Sequence, residues 1–123
     1  YKNIALVGAS KDLNKTSTKV MKYLQNYGYK VYPVNPKIIG QLIHGERVYG
    51  KVSEIDGPVD IVDVFRPSDE AIEIVNDAIK INVKVLWLQL NIKNSEAKKI
   101  AEANNIIYIE DKCTKLEIEK YLN

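Results

Sequence analysis

The turn at residues 33–37, Pro-Val-Asn-Pro-Lys, carries the most informative side chain of this sequence, that of Lys37. The apolar residues 31–34 before it are typical of a strand. In an open α/β sheet, the tip of the second strand lies beside the ribose of a bound adenine nucleotide. An acid there accepts hydrogen bonds from the 2′-hydroxyl of NAD, whereas a basic residue accommodates a ribose phosphate. Because this tip has a lysine and no acid, it indicates CoA or NADP before NAD. A solvated surface lysine is the alternative.

The first strand, residues 4–7, leads into a turn that is a candidate phosphate site. Its candidate residues are Gly8, Ala9, Ser10, Lys15 and Ser17. Gly8 lets the backbone approach a ligand, and the free N–H groups at the start of the next helix can hold an anion together with the two serine hydroxyls. The turn is not a G-x-G-x-x-G fingerprint, since Ser10 and Leu13 replace the later glycines, and no Gly-Lys-Ser/Thr follows. A tight turn without a ligand is the alternative.

Two further strands deliver polar side chains to the same predicted edge. The candidate ligand-binding residues there are Phe65, Arg66, Pro67, Gln89 and Asn91. Arg66 follows a very apolar strand, so it either contacts an anion or stacks on adenine. The alternative for Arg66 is an ion pair with Asp63 or Asp69.

The pattern of apolar residues predicts where the elements that position these side chains lie. Strands are predicted at residues 4–7, 31–34, 61–65, 85–88 and 106–109, and helices at about 16–27, 68–81, 95–103 and 114–122. Continuous β-branched strands alternating with amphipathic helices indicate a doubly wound parallel α/β sheet with three αβα layers, and we expect the order 3-2-1-4-5. Ser68 is the expected cap of the second helix, and Thr114 with Glu117 forms a capping box. Residues 37–58 are expected to form a loop with extended pieces near 41–49 and a turn near 53–55.

Composition excludes several classes of function. The chain has 123 residues and a net charge of +2 without a basic run, which argues against nucleic acid as a partner. No apolar run is long enough to span a membrane, and the single cysteine, Cys113, excludes an internal disulfide. We therefore expect one cytoplasmic domain, residues 1–123. No spacing suits a metal, and His44 has no visible nucleophile beside it, so no catalytic residue is predicted.

Five motifs in order along the chain carry a family resemblance. They are Val-Gly-Ala-Ser (7–10), Pro-Val-Asn-Pro-Lys (33–37), Val-Asp-Val-Phe-Arg (62–66), Val-Leu-Trp-Leu-Gln (85–89) and Glu-Asp-Lys-Cys (110–113). Together they resemble the small stand-alone CoA-binding domain proteins of bacteria. That family is similar to the N-terminal domain of the α subunit of succinyl-CoA synthetase.

The resemblance implies a Rossmann-like fold that binds CoA or acyl-CoA at the carboxyl edge of the sheet. The first turn would then lie near the phosphates, and residues Val34, Asn35, Pro36 and Lys37 would border the 3′-phosphate end. Phe65, Arg66 and Pro67 would line the adenine or pantetheine path, with Gln89 and Asn91 toward the pantetheine end. The synthetase relies on a phosphorylated histidine in a second domain, and His44 matches no such position. The resemblance therefore does not imply ligase activity.

Two rival functions remain open at this point. An NADP-dependent oxidoreductase domain would also accept Lys37, but the missing glycines and the lack of a substrate domain argue against it. A regulatory or interaction module that senses CoA is the second rival, and its protein partner is unknown.

Overall fold

The computed structural model describes residues 1–117, and its centre is a parallel sheet of five strands. In chain order the strands and helices are β1 (Asn3–Val7), α1 (Thr16–Asn26), β2 (Lys30–Val34), β3 (Leu42–Ile43), β4 (Glu46–Arg47), β5 (Ile61–Val64), α2 (Ala71–Ala78), β6 (Val85–Leu88), α3 (Ser95–Ala103) and β7 (Ile107–Ile109). The short strands β3 and β4 form a separate antiparallel hairpin. Because β-branched and leucine side chains fill both faces of the central strands, both faces need a covering layer.

Alternate residues of β1 show how the two faces are covered. Ile4 and Leu6 pack in a core with Val20, Met21 and Leu24 of α1. The intervening Ala5 and Val7 belong to the opposite core, which contains the buried residues of α2 and α3. Side chains of a strand alternate between the two faces of its sheet, so α1 lies on one face and α2 with α3 on the other. The predicted Rossmann-like fold with three αβα layers is confirmed.

The expected strand order 3-2-1-4-5 is wrong. The strands lie in the order β2-β1-β5-β6-β7, so the third long strand, β5, pairs with β1 and does not extend the sheet beyond β2. On the outer edge of β2, the carbonyl of Pro33 accepts from the N–H of Tyr49 at 2.9 Å. Pro33 has no N–H, so on that outer side it cannot donate the hydrogen bond that a further full-length strand would need. A proline within a strand indicates an edge strand, so this signal in the sequence argues against an order with β2 inside the sheet.

The observed order determines where a ligand site is expected. The chain leaves β1 toward α1 on one face and leaves β5 toward α2 on the other, although β1 and β5 are neighbours. The strand order therefore reverses between β1 and β5. In doubly wound sheets, a crevice opens at this reversal outside the carboxyl ends of the strands.

Most predicted elements agree with the structure to within a few residues, but two predicted caps do not. The hydroxyl of Ser68 accepts from the N–H of Lys93 at 3.0 Å and caps no helix. The hydroxyl of Thr114 accepts from Gln89 and donates to Asp63, each at 3.0 Å, and the N–H of Glu117 donates to the carbonyl of Cys113 at 3.0 Å, so Thr114 and Glu117 form no capping box. The expected extended pieces near 41–49 are the hairpin of β3 and β4, and the expected turn is a 3-10 helix at Val52–Glu54. Residues 118–122 of the last predicted helix lie outside the described residues.

Candidate functional site

An open cleft of about 890 Å³ lies at the carboxyl edge of the sheet, between the residues that follow β1, β2 and β5. Its position is the reversal point of the strand order, where ligands of doubly wound sheets bind. Eleven of the fourteen predicted site residues line it, namely Gly8, Ala9, Ser10, Lys15, Ser17, Val34, Asn35, Pro36, Lys37, Phe65 and Arg66. Three separate stretches of sequence therefore meet in one cleft.

Three predicted site residues do not line the cleft. Pro67 precedes the 3-10 helix that leads into α2. Gln89 is buried, and its amide donates to the hydroxyl of Thr114 at 3.0 Å and to Asp63. Asn91 is exposed in a left-handed turn, where its N–H donates to Asp111 at 2.7 Å. Hydrogen bonding within the protein thus accounts for the positions of Gln89 and Asn91.

One wall of the cleft is not predicted from the sequence. This wall consists of Gly50, Lys51 and Val52 from the long connection and of Glu70, Glu73, Ile74, Asn76, Asp77 and Lys80 from α2 and the residues next to it. The helical period of α2 predicts which residues face the core, but the cleft is lined by its other side. These residues can be identified as lining the cleft only once α2 is placed beside the point where the strand order reverses. That placement depends on the strand order.

Gly8 brings the first turn against the neighbouring strand end. Its φ is +95°, a conformation that favours glycine, and a Cβ atom there would lie 2.7 Å from the carbonyl oxygen of Phe65 and 3.0 Å from Cδ of Arg66. The N–H groups of Gly8 and Ala9 both donate to the carbonyl of Val34, at 3.0 and 3.3 Å. These two N–H groups hold the turn to β2 and are not free to bind a ligand. The N–H groups that can donate to a ligand therefore belong to residues that follow the turn in sequence.

Those amides lie at the start of α1. Lys15 occupies the N-cap position, no side chain caps the helix, and its first turn has no acidic residue. The N–H groups of the first helical turn have no partner within a helix, and they carry the positive end of its dipole. The hydroxyl of Thr18 donates to the carbonyl of Ser10 at 2.8 Å, which holds the loop against the helix. Since Lys15, Thr16 and Ser17 line the cleft, this helix end can hold an anion there.

Asn35 joins the tip of β2 to the first turn. Its side-chain amide donates to the carbonyl of Ala9 at 2.8 Å, and its Oδ1 accepts from the N–H of Lys37 at 2.9 Å. The second bond is an Asx-turn, which sets the direction of the chain after the strand. Asn35 thus fixes Lys37 relative to the residues that follow β1.

Lys37 is exposed at the cleft, and within residues 1–117 neither Lys37 nor Lys15 forms an ion pair. An ammonium group without a carboxylate partner is available to an anionic ligand. Lys51, on the part of the cleft formed by the long connection, likewise has no ion pair in this range, so three such cations line the cleft.

Arg66 does form an ion pair, but its partner is neither Asp63 nor Asp69, the two acids named in the alternative to a ligand contact. The carboxylate of Glu70 accepts from Nε of Arg66 at 3.0 Å and from its Nη2 at 2.7 Å. The two residues are four apart, so the start of α2 brings Glu70 back over the end of β5. The pair lines the cleft, and both side chains remain partly exposed.

Asp63 is fully buried beneath this edge of the sheet. It accepts from the amide of Gln89 and from the hydroxyl of Thr114, at 3.0 Å in the latter case, so the network joins β5, the end of β6 and the chain after β7. Burial raises the pKa of the Asp63 carboxyl to about 7, although the two hydrogen bonds oppose the shift. Asp63 does not line the cleft, so we assign it to the support of the fold.

The described residues provide neither a metal centre nor a membrane span. Across residues 1–117, no three His, Cys, Asp or Glu side chains come together as a metal-binding group. Over the same range, every helix is too short or too polar to cross a bilayer.

Comparison with known proteins identifies the family. A family model described as a CoA binding domain matches residues 2–119. The chain belongs to this family of CoA-binding domains. It is 36% identical over 115 residues to the uncharacterized protein YneT of Bacillus subtilis, covering 94% of this chain and 84% of that protein. It is 41% identical to a solved hypothetical protein from Pyrococcus horikoshii, with a TM-score of 0.95, and the match covers 100% of this chain and 85% of that one.

Larger relatives in the same comparisons are CoA ligases. The chain is 30% identical over 83 residues to the ADP-forming acetate–CoA ligase of Methanocaldococcus jannaschii, a match that covers 68% of this chain but only 12% of the ligase. It also matches 25% of a solved dinucleotide-forming acetyl-coenzyme A synthetase from Candidatus Korarchaeum cryptofilum, over 87% of this chain, at 29% identity and a TM-score of 0.73. The CoA-binding family expected from the motifs is therefore confirmed. The similarity to the ligases is confined to one part of those enzymes.

Proposed function

We propose that this protein binds coenzyme A or an acyl-CoA in the cleft at the carboxyl edge of β1, β2 and β5. The observation that carries the proposal is the convergence of three lysines without an ion pair, Lys15, Lys37 and Lys51, and the uncapped start of α1 on one cleft. CoA contains a diphosphate and a phosphate monoester, and the monoester alone carries about −1.5 to −2 charges at neutral pH. A cleft with several cations and free amides matches such a ligand better than it matches a neutral one.

Within this proposal, each part of the cleft takes one part of the ligand. The start of α1, with Ser10, Lys15 and Ser17, holds the diphosphate, because helix N-termini bind such groups. Lys37 contacts the ribose 3′-phosphate, and Asn35 fixes the backbone from which Lys37 extends. Phe65 borders the remaining path toward the adenine or the pantetheine, and Arg66 supplies a further anion contact to a phosphate of the ligand. Pro67, Gln89 and Asn91 lie outside the cleft, so they have no direct contact in this arrangement.

The proposal is for binding by a domain of residues 1–123, without catalysis. Among residues 1–117, no histidine lines the cleft, and histidine is the side chain most often used for proton transfer in catalysis. The ligases that match share only a small fraction of their length with this chain, so their reaction is not part of the proposal.

Thermal unfolding in the presence of nucleotides tests the proposed ligand. A ligand that binds only the native state stabilises it by about 2.7 kcal/mol at a concentration one hundred times its Kd. CoA or acetyl-CoA is expected to raise the Tm more than NADP, NAD or ATP at equal concentration. Native mass spectrometry of the same mixtures gives the stoichiometry, expected to be one CoA per chain. A shift with NADP and none with CoA would replace this proposal by the oxidoreductase-type alternative, and no shift with any nucleotide would favour an interaction module.

A further inference from the structure

The ion pair between Arg66 and Glu70 has an unusual setting, because it places a carboxylate within a cleft suited to anions. Both oxygens of Glu70 are engaged by Arg66, at 3.0 and 2.7 Å. A guanidinium that is bonded through two N–H groups to one carboxylate has the same geometry that it would use for a phosphate. Glu70 therefore occupies the face of Arg66 that a ligand phosphate would contact.

The surroundings place this pair close to the proposed phosphate contacts. The stem of Arg66 crosses Gly8, where a Cβ atom would lie only 3.0 Å from Cδ of the arginine. Hydrogen bonding to Arg66, and then the positive charges of Arg66 and Lys37, lower the pKa of the Glu70 carboxyl. Glu70 is therefore an ionised group at neutral pH that interacts with two cations of the cleft at once.

We propose that Glu70 is an internal counter-anion, which occupies Arg66 in the free protein and is displaced from it by a phosphate group of the ligand. This inference rests on the proposed function, since it concerns how the same cleft admits its ligand. In the free protein, Glu70 neutralises Arg66, while Lys15, Lys37 and Lys51 line the cleft without an ion pair. Binding exchanges one partner of the arginine for another.

The exchange makes the cleft selective for highly charged ligands. A carboxylate carries one negative charge and two oxygens, whereas a phosphate monoester carries close to two charges and three acceptor oxygens. A weakly charged anion gains little by replacing Glu70, while a monoester gains both charge and hydrogen bonds. Glu70 thus lowers the affinity for every anion, and it lowers the affinity for weakly charged anions most.

The variant Glu70→Gln tests this idea, because glutamine keeps the shape of the side chain and removes its charge. Glu73→Gln is the matched control, since Glu73 lines the same wall and is not bonded to Arg66. An exposed ion pair of this kind is worth up to about 1 kcal/mol, so Glu70→Gln is expected to bind CoA about three- to fivefold more tightly. Glu73→Gln measures the general effect of removing one negative charge from this wall, and its gain in affinity is expected to be smaller than that of Glu70→Gln, because it releases no cation. Calorimetric titrations are made with CoA and, separately, with inorganic pyrophosphate.

The arginine variant supplies a second measurement. In a protein that already carries Arg66→Gln, the additional change Glu70→Gln should raise the affinity no more than Glu73→Gln does, because there is no guanidinium to release. If Glu70→Gln changes the affinity for both probes by the same factor as Glu73→Gln, or weakens the binding of both probes, the counter-anion role is overturned. This holds whatever the affinity of the native protein for CoA. If pyrophosphate shows the gain but CoA binds no variant, the counter-anion role stands and the proposed function fails. If neither probe binds any variant, both proposals are overturned.

Discussion

Asp63 allows a prediction about how the stability of this protein depends on pH. The side chain is wholly buried in the centre of β5, and burial raises its pKa from 3.8 to about 7. The unfolded chain holds the same carboxyl in water, where it titrates near its ordinary value. Between these two pKa values the folded protein binds one more proton than the unfolded protein. The free energy of unfolding must therefore fall as the pH rises through this window, and it levels off above the folded pKa.

The magnitude follows from the shift itself. One pKa unit corresponds to about 1.4 kcal/mol, and a change from pH 5 to pH 8 crosses about two units of the window below the folded pKa. The contribution of Asp63 to the free energy of unfolding should thus decrease by about 3 kcal/mol over this range, or roughly 10 °C in Tm for a chain of this size. The stabilising contribution is fully present only below the unfolded pKa.

The variant Asp63→Asn removes this titration while it keeps the shape of the protonated carboxyl. Urea unfolding of both proteins at pH 5 and pH 8 gives a double difference from which all other titrating groups cancel. From pH 5 to pH 8, the free energy of unfolding of Asp63→Asn is expected to rise by about 3 kcal/mol relative to that of the native protein. Thr114→Val is the companion variant. Because the Thr114 hydroxyl bond lowers the pKa of Asp63, its loss should move the transition to higher pH. A stability difference between Asp63→Asn and the native protein that is the same at pH 5 and pH 8 would refute this reasoning.

Two further predictions concern the cleft. Lys37→Glu should weaken CoA binding by about 10- to 100-fold through the loss of a charge-assisted bond, and it should reduce the preference for CoA over dephospho-CoA. Lys99→Glu on α3 is the charge-matched control. If calorimetry shows that both variants weaken CoA binding equally, Lys37 is not part of the site. Gly8→Ala should lower the free energy of unfolding by about 2 kcal/mol or more, because its Cβ would meet the Phe65 carbonyl at 2.7 Å in addition to the unfavourable φ. Gly28→Ala, at φ +88° with open space around it, measures the conformational part alone in chemical denaturation, and an equal loss in both variants would contradict the close approach.

The composition of the cleft was largely predictable because it depends on strand ends. Residues that follow parallel strands meet at one edge, so Gly8, Asn35 and Arg66 could be brought together from the apolar pattern alone. Lys37 was identified by its place after the second strand, which holds for either strand order because β2 lies beside β1 in both. The roles of these residues toward a ligand stay predictions.

The strand order was missed although the sequence contains a signal for it. Apolar periodicity reports whether a segment is a strand and which residues are buried, but it does not report the neighbour of each strand. Pro33 does report it, because a residue without an N–H is tolerated where the strand faces an edge. A proline within a strand thus places β2 at the edge of the sheet, which excludes the order 3-2-1-4-5 but does not by itself identify β5 as the other neighbour of β1.

The choice of partners among polar side chains is the part that local sequence does not determine. Arg66 had acids at positions 63, 69 and 70 within reach along the chain, and only the turn of backbone into α2 decides that Glu70 is bonded. Asp63 accepts hydrogen bonds from Gln89 and Thr114 instead, and both residues are distant from it in sequence. The burial of Asp63 and the pairing of Glu70 with Arg66 therefore both depend on the backbone geometry in and after β5, which only the folded chain shows.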